Sequence, residues 1–276
     1  MVHGEKADKV GAWIVKILFV CTILFIYLPI VVAIILSFDP RGYLATFPPT
    51  GVSLRWYAFF FSYGSFMSGL KVSVILGVST VIVSTLVGIP AALALVRHPF
   101  LGKELLSTLM TSPIVVPGVV SGVALVTFLM GFLRFYDSFT NLLIAHTIIT
   151  FPYQLRTVSA ALVGFDRALE EAAMNLGANE LQTFFKVTLP IIKPAVIAGA
   201  IFAFSISFDN VSLSVFLTDP FTTTFPITLL GYLRNKIDPG IAAASVVLMI
   251  FTLLLVMAID RLVGIDKFTG LERTTV

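Results

Sequence analysis

The chain has 276 residues, of which 58% are hydrophobic and only 12% charged, with a mean hydropathy of +1.01. A soluble domain carries about 25% charged residues, so this composition excludes an ordinary water-soluble core and specifies a polytopic all-α membrane protein. A net charge of +3 comes from scattered basic residues without interleaved aromatics, which excludes nucleic acid as a partner, and the one cysteine, Cys21, excludes an internal disulfide and a cysteine-rich metal site.

Crossing the hydrocarbon takes about 20 mainly apolar residues as a helix. Six segments meet that requirement, at roughly 12–37, 69–96, 105–132, 138–160, 191–217 and 240–260. The first follows Lys6, Lys9 and Lys16, yet its apolar run is longer than a signal peptide's and no small-residue cleavage site follows, so it reads as an uncleaved anchor. With the N-terminus inside, twelve of the 18 lysines and arginines fall on the inner side. The positive-inside rule therefore places both termini in the cytoplasm. No repeat interrupts the chain, and residues 1–276 read as a single membrane domain.

In this topology two loops face outward. One is DPRGYLATFPPTGVSLRWYAFF; in it Trp56 and Tyr57 are either cation-π partners for an amine at the outer entrance or interfacial anchors. The other is TDPFTTTFPITLLGYLRNKIDPG, where Ile227 to Ile237 is expected to form a short surface helix. The third span contains SPIVVPGVVSG: Pro113 and Pro117 each remove a backbone donor, while Gly118 and Gly122 permit close approach. A kinked helix lining a pathway and small-residue helix packing both fit that pattern. In the fourth span His146 is expected to hydrogen-bond between helices. In the fifth, Asp209 lies about 15 residues past Pro194, roughly 22 Å from the inner boundary. An acid at that depth faces the bundle interior or a wet cavity; it either lines a pathway or bonds to Asn210, Ser205 or a neighbouring helix.

Between the fourth and fifth spans, at about 161–190, lies a cytoplasmic segment of different character. Leu169, Ala172, Ala173 and Leu176 fall at i, i+3, i+4 and i+7, one face of a short helix, with Glu170, Glu171 and Asn175 elsewhere on its circumference. Gly177 suits the left-handed position that ends such a helix. Asn179 then reads as the N-cap of a second helix with Gln182 returning the bond, and Leu189 and Pro190 are expected to stop it. A lipid-lying helix would carry Lys or Arg opposite large apolar residues. Paired glutamates opposite alanines suit a protein cleft better.

Glu171-Ala172-Ala173, three residues, Gly177, nine residues, then Val187-Thr188-Leu189-Pro190 resembles the EAA loop of type I ABC importer membrane subunits, with valine for the usual isoleucine. LRWY in the outer loop, Ser112-Pro113 and SFDNV at 207–211 are similar to the spermidine/putrescine permease branch. The resemblance implies a six-helix core whose coupling helix, with Glu170, Glu171, Ala172, Ala173, Gly177, Leu189 and Pro190, docks on a separate ATPase. It implies a second homologous permease subunit, two cytoplasmic ATPase subunits binding ATP-Mg, an extracytoplasmic solute-binding protein, and a place in the bacterial inner membrane. Pathway candidates are Asp209, Asn210, Pro113, Pro117, Trp56 and Tyr57. Ile114 and Asn210 stand where polyamine permeases tend to carry acids. The resemblance implies a polyamine-like or other amine-containing solute, while these two departures argue against a dication and suit one that needs fewer carboxylates.

The chain has no G-x-x-x-x-G-K-S/T, so nothing in it cradles nucleotide phosphates, and no H-E-x-x-H or G-x-S-x-G supports hydrolase chemistry. No cofactor is expected on this chain. The competing class is a gradient-driven carrier or channel, which often shows paired broken helices in two related halves.

Overall fold

The computed structural model describes residues 2–43 and 47–263, with side chains described for 11–43, 47–257 and 261; Lys6, Lys9, Lys267 and Arg273 lie outside the described side chains. Among the described residues every regular element is helical: α1 Val2–Ser37, α2 Arg55–Ser62, α3 Gly64–Arg97, α4 Lys103–Thr111, α5 Gly118–Val126, α6 Ser138–Val163, α7 Ala168–Asn175, α8 Glu180–Thr183, α9 Leu189–Phe208, α10 Phe225–Asn235 and α11 Gly240–Val263. Contacts gather into two compact units, one within residues 1–64 and 231–251, the other within 65–230 and 252–276.

Four helices are long and apolar enough to cross a membrane: Gly11–Ser37, Gly64–Arg97, Glu180–Phe208 and Gly240–Met257. A fifth candidate is the pair Lys103–Ile114 and Gly118–Phe132, bent by 104°. The remaining expected span, the fourth, is α6, which has 26 residues, about 39 Å of helix, but is less apolar because Asn141, His146, Thr150 and Gln154 all point inward. Their polarity is spent on the protein interior rather than on lipid.

In the smaller unit, the chain after α1 is fastened by polar contacts. Asp39 is fully buried, and Arg41 Nε lies 2.9 Å from each of its carboxylate oxygens. The hydrogen-bonded guanidinium holds the Asp39 carboxyl below the usual carboxylate range. Trp56 Nε1 donates to the Asp39 carbonyl at 2.9 Å, and the Tyr57 hydroxyl pairs with Ser37 Oγ at 2.6 Å. Trp56 is therefore buried, against the expectation of a lipid-interface anchor, and lines a cavity with Arg55, Phe59 and Tyr232. Its indole N–H satisfies the carbonyl of a residue two positions past the end of α1. Tyr232 donates to Asp238 Oδ2 at 2.7 Å within the same unit.

The larger unit is built on α3, whose buried residues form a stripe at three- and four-residue intervals: Phe66, Gly69, Ser73, Leu76, Thr80, Ser84, Gly88, Ala92 and Leu95. Large residues such as Ile75, Ile82 and Leu86 face outward. This inside-out amphipathicity suits a helix whose solvent is lipid, because small residues let backbones approach where apolar burial gives no net gain. A Cβ on Gly77 would lie 2.8 Å from the Phe204 ring, and one on Gly88 2.8 Å from Gln154 Cγ. Gly199 also faces Gln154, whose amide occupies the space a side chain would need.

Two apolar clusters bracket a polar layer. One contains Leu76, Leu142, Ala145, Leu213 and Leu217; the other contains Ala92, Leu95, Leu155, Val158, Leu162 and Ile192. Between them along α3 and α6, Ser84 pairs with Thr150 at 2.9 Å. His146 is buried, with Nδ1 2.8 Å from Ser207 Oγ and Nε2 3.0 Å from Ser214 Oγ. The histidine thus joins α6 to α9 and to the turn after it, as expected for an interhelical hydrogen-bonder.

Two boundaries differ from expectation. The fifth span begins at Glu180, because a π turn over Phe184–Thr188 carries α8 into α9. Leu189 N–H bonds to Phe184 O across five residues, and this wider turn accommodates Pro190, whose ring would otherwise meet the carbonyl four residues back. Leu189 and Pro190 therefore do not stop the helix. At the other end α9 stops at Phe208, so residues 210–217 are not part of a long helix. Their apolar character reflects burial of Leu213 and Leu217 in a compact turn.

Candidate coupling site

The segment from 166 to 190 forms two helices joined at an acute turn. Asp166 Oδ1 accepts the Ala168 N–H at 3.0 Å, and Glu170 and Glu171 occupy the first turn of α7, where the helix dipole favours acids. At the other end the Gly177 N–H bonds to Met174 O at 2.9 Å and the Ala178 N–H to Ala173 O at 3.1 Å. These are the two bonds of a Schellman cap, and they require the left-handed Gly177, with φ of +92°. Asn179 then caps α8: its Oδ1 accepts the Gln182 N–H at 2.9 Å, and Gln182 Oε1 accepts the Asn179 N–H at 3.1 Å. Both local readings of the sequence hold.

The two glutamates part company. Glu171 is exposed, whereas Glu170 is 8% exposed and turned into the protein. There Arg97 Nη2, from the end of α3, donates to Glu170 Oε1 at 2.5 Å, and the Thr188 hydroxyl donates to the same oxygen. The Arg97 guanidinium also lies 5.8 Å from the Phe165 ring centroid. Glu170 is thus a brace between α7, α3 and the π turn, corrected from its expected place on the outer circumference. Arg97 and Thr188 were missed as its partners, since Arg97 lies 73 positions away in sequence.

The apolar face expected of α7 is largely open. Leu169 and Ala172 are exposed and Leu176 is 90% exposed, while Ala173 is half-buried. Leu181 of α8, 71% exposed, extends the same kind of surface beyond the turn. Leu189 is half-buried and Pro190 exposed.

Among the pathway candidates, Pro117 immediately precedes Gly118, which meets the turn that Asp209 and Asn210 begin. Pro113 opens a short 3₁₀ turn, Ser112–Ile114, and Pro117 caps α5 in an extended conformation with ψ of 134°. The bend between them exceeds the kink expected for this span. Gly118 and Gly122 let α5 close on the turn after α9: a Cβ on Gly118 would lie 3.0 Å from Ser212 Cβ, and one on Gly122 would lie 2.5 Å from the Phe216 ring. Asp209 is the exposed C-cap of α9 rather than a mid-helix residue. Asn210 Oδ1 accepts the Leu213 N–H at 2.8 Å, and its carbonyl accepts from Ser214 Oγ at 2.7 Å. Asn210 therefore organises the turn that supports His146. Trp56 and Tyr57 belong to the smaller unit, engaged as described above.

Residues 84–265 match the family model described as binding-protein-dependent transport system inner membrane component. The spermidine/putrescine transport system permease protein PotC of Escherichia coli (strain K12) is 30% identical over 246 residues, covering 89% of this chain and 92% of the relative. The putrescine transport system permease protein PotI of the same organism is 29% identical over 231 residues, covering 82% of each. Among solved structures, a bacterial ABC transporter that imports the acidic polysaccharide alginate superposes with a TM-score of 0.68 at 17% identity, covering 94% of this chain and 96% of that one. The MetNI methionine ABC transporter superposes with a TM-score of 0.59 at 18% identity, covering 75% and 96%. With a matching fold, a matching family model and a capped helical turn at the motif positions, this chain belongs to the family of inner-membrane permease components of binding-protein-dependent transport systems.

Proposed function

We propose that this permease supplies half of the translocation pathway of an ATP-driven importer and is driven through residues 168–183 by a separate ATPase. The observation that carries the proposal is the division of labour at the turn. Glu170 fixes α7 to the membrane bundle, while Glu171, Leu169, Leu176 and Leu181 remain outside on a rigid, doubly capped support. Exposed apolar residues rimmed by acid on a fixed scaffold fit a docking knob for a protein cleft. The turn then sits on the cytoplasmic side, both termini with it, in a bacterial inner membrane spanned six times, with α6 as the polar fourth span.

Six helices do not enclose a pathway in this family, so a second, similar permease completes it. Two ATPase subunits bind ATP-Mg below, and a solute-binding protein delivers solute from outside. Closure of the ATPase pair draws the two turns together and opens the pathway outward. The names of PotC and PotI support an amine-containing, polyamine-like solute, and Asp209 at the exposed end of α9 is the carboxylate placed to meet it. Ile114 and Asn210 leave fewer carboxylates than a long polycation would use.

The test is to express the tagged chain with the other subunits and replace Leu176 and Leu181 by Glu. Wild-type permease should retain an ATPase subunit in mild detergent, and L176E/L181E should lose it while staying monodisperse. Uptake should require ATP and survive collapse of the ion gradient. Uptake that follows the gradient and ignores ATP would refute the proposal. Thermal-shift screening of the associated binding protein against amines, amino acids and small anions identifies the solute class.

A further inference from the structure

Beside the coupling turn, a cavity of about 310 Å³ opens between the last turn of α3, the start of α4 and the last third of α6. Its polar wall presents Lys103 and Arg156 together with the hydroxyls of Ser107 and Ser159. Its other wall is apolar, formed by Leu95, Val96 and Leu155. Neither cation forms an ion pair with an acid among the described residues, in contrast to Arg97, which Glu170 neutralises one turn away. The two serine hydroxyls likewise make no hydrogen bond there, whereas the nearby Thr111 hydroxyl is turned back onto the Ser107 carbonyl at 2.9 Å.

Two cations without an acidic partner repel each other at one mouth, and two half-buried hydroxyls beside them are open to an acceptor. A phosphate group answers both conditions. It carries negative charge, and it has several acceptor oxygens that a guanidinium meets in paired geometry, with an ammonium and hydroxyls taking the rest. The apolar wall suits the glycerol and first methylenes of a lipid better than a freely hydrated ion. Basic pockets between transmembrane helices on the cytoplasmic side are the usual setting for such headgroups. In the topology proposed above, this cavity lies at the level of the inner leaflet.

We infer that Lys103, Arg156, Ser107 and Ser159 form a binding site for a phosphate group, supplied by an anionic phospholipid of the inner leaflet. The site holds α4 against α6 beside the coupling turn, so its occupant steadies the helix ends on which that turn is mounted. The inference rests on the sidedness of the proposed function, but not on ATP-driven uptake.

The experiment uses the full permease with whatever subunits co-purify, without nucleotide or solute, so that failed lipid binding and failed ATP coupling are read separately. Nanodiscs of phosphatidylcholine with increasing phosphatidylglycerol are prepared, and lipid retained after transfer to mild detergent is counted by native mass spectrometry. Wild-type protein should retain phosphatidylglycerol in preference to phosphatidylcholine. K103Q/R156Q should weaken retention about 25-fold, at about fivefold per cation. The charge-conserving K103R/R156K should keep it, which separates lost charge from lost fold. A parallel arm adds inorganic phosphate to discs of phosphatidylcholine alone and follows thermal stability. A phosphate-dependent rise absent from K103Q/R156Q, without lipid preference, would keep the phosphate site but overturn the lipid as its source. Equal retention of both lipids by wild type with no effect of inorganic phosphate would overturn the site itself, as would unchanged retention in K103Q/R156Q.

Discussion

Removing the Glu170 carboxylate should release α7 from the bundle without unfolding the bundle. In the intact protein Glu170 Oε1 accepts from Arg97 and from Thr188, and the side chains of Arg97 and Glu170 are 23% and 10% exposed. Breaking a fully buried pair costs about 3–5 kcal/mol because a charge is stranded. Arg97 is exposed enough to regain water, so Glu170→Ala should cost less, about 2–3 kcal/mol. Placed on local opening of α7, that loss makes its amides exchange about 30- to 160-fold faster. Glu170→Gln keeps an acceptor oxygen and loses only the charge, so it should cost about 1 kcal/mol, about a fivefold effect. Arg97→Ala strands the less exposed Glu170 and should cost at least as much as Glu170→Ala, and the double variant should be little worse than the worse single, because both remove one interaction. The assay is hydrogen exchange with mass spectrometry on residues 168–183 in nanodiscs. Unchanged exchange in Glu170→Ala, or additive effects in the double variant, would refute the brace.

Three further outcomes follow from the geometry. Gly177→Val should lower transport and weaken the coupling turn by about 1–2 kcal/mol through its φ of +92°, since a Cβ there meets nothing within 4 Å; Gly177→Asn should be tolerated, and exchange at 172–183 separates the two. Gly199→Ala should lower the melting temperature in detergent, at a cost of about 1–3 kcal/mol from overpacking against Gln154 and Thr157, and Gln154→Ala should partly rescue it. The Asp39 carboxyl has a folded pKa held below its ordinary 3.8 by Arg41, so its stabilising contribution is complete above that value and is lost as pH falls through the lower folded value. Trp56 fluorescence in a Trp13→Phe background should therefore stay flat from neutral pH to about pH 4 and change only below, with Asp39→Asn removing that dependence.

What was legible in the sequence followed local rules. Gly177, Asn179 and Gln182 announce a Schellman cap and a capping box within a dozen residues, and both are present. What was not legible depended on partners remote in sequence or on backbone adjustment. Glu170 turns inward because Arg97 waits at the end of another helix. Trp56 is buried because the Asp39 carbonyl needs its N–H. Pro190 looked like a stop, but one widened turn absorbs it. Residues 210–217 looked like more helix because burial in a turn and burial in a span select the same apolar residues.

The absorption of Pro190 has a mechanical result. From Glu180 to Phe208 helical backbone runs on for 29 residues, about 43 Å at the usual rise, with a π turn rather than a break at Phe184–Thr188. Motion imposed on its lower tip is carried along the helix toward Asp209, its C-cap, and the doubly capped turn at Gly177 joins that tip to α7. In the importer proposed above, an ATPase holding α7 and α8 therefore moves both ends of this helix with a single stroke.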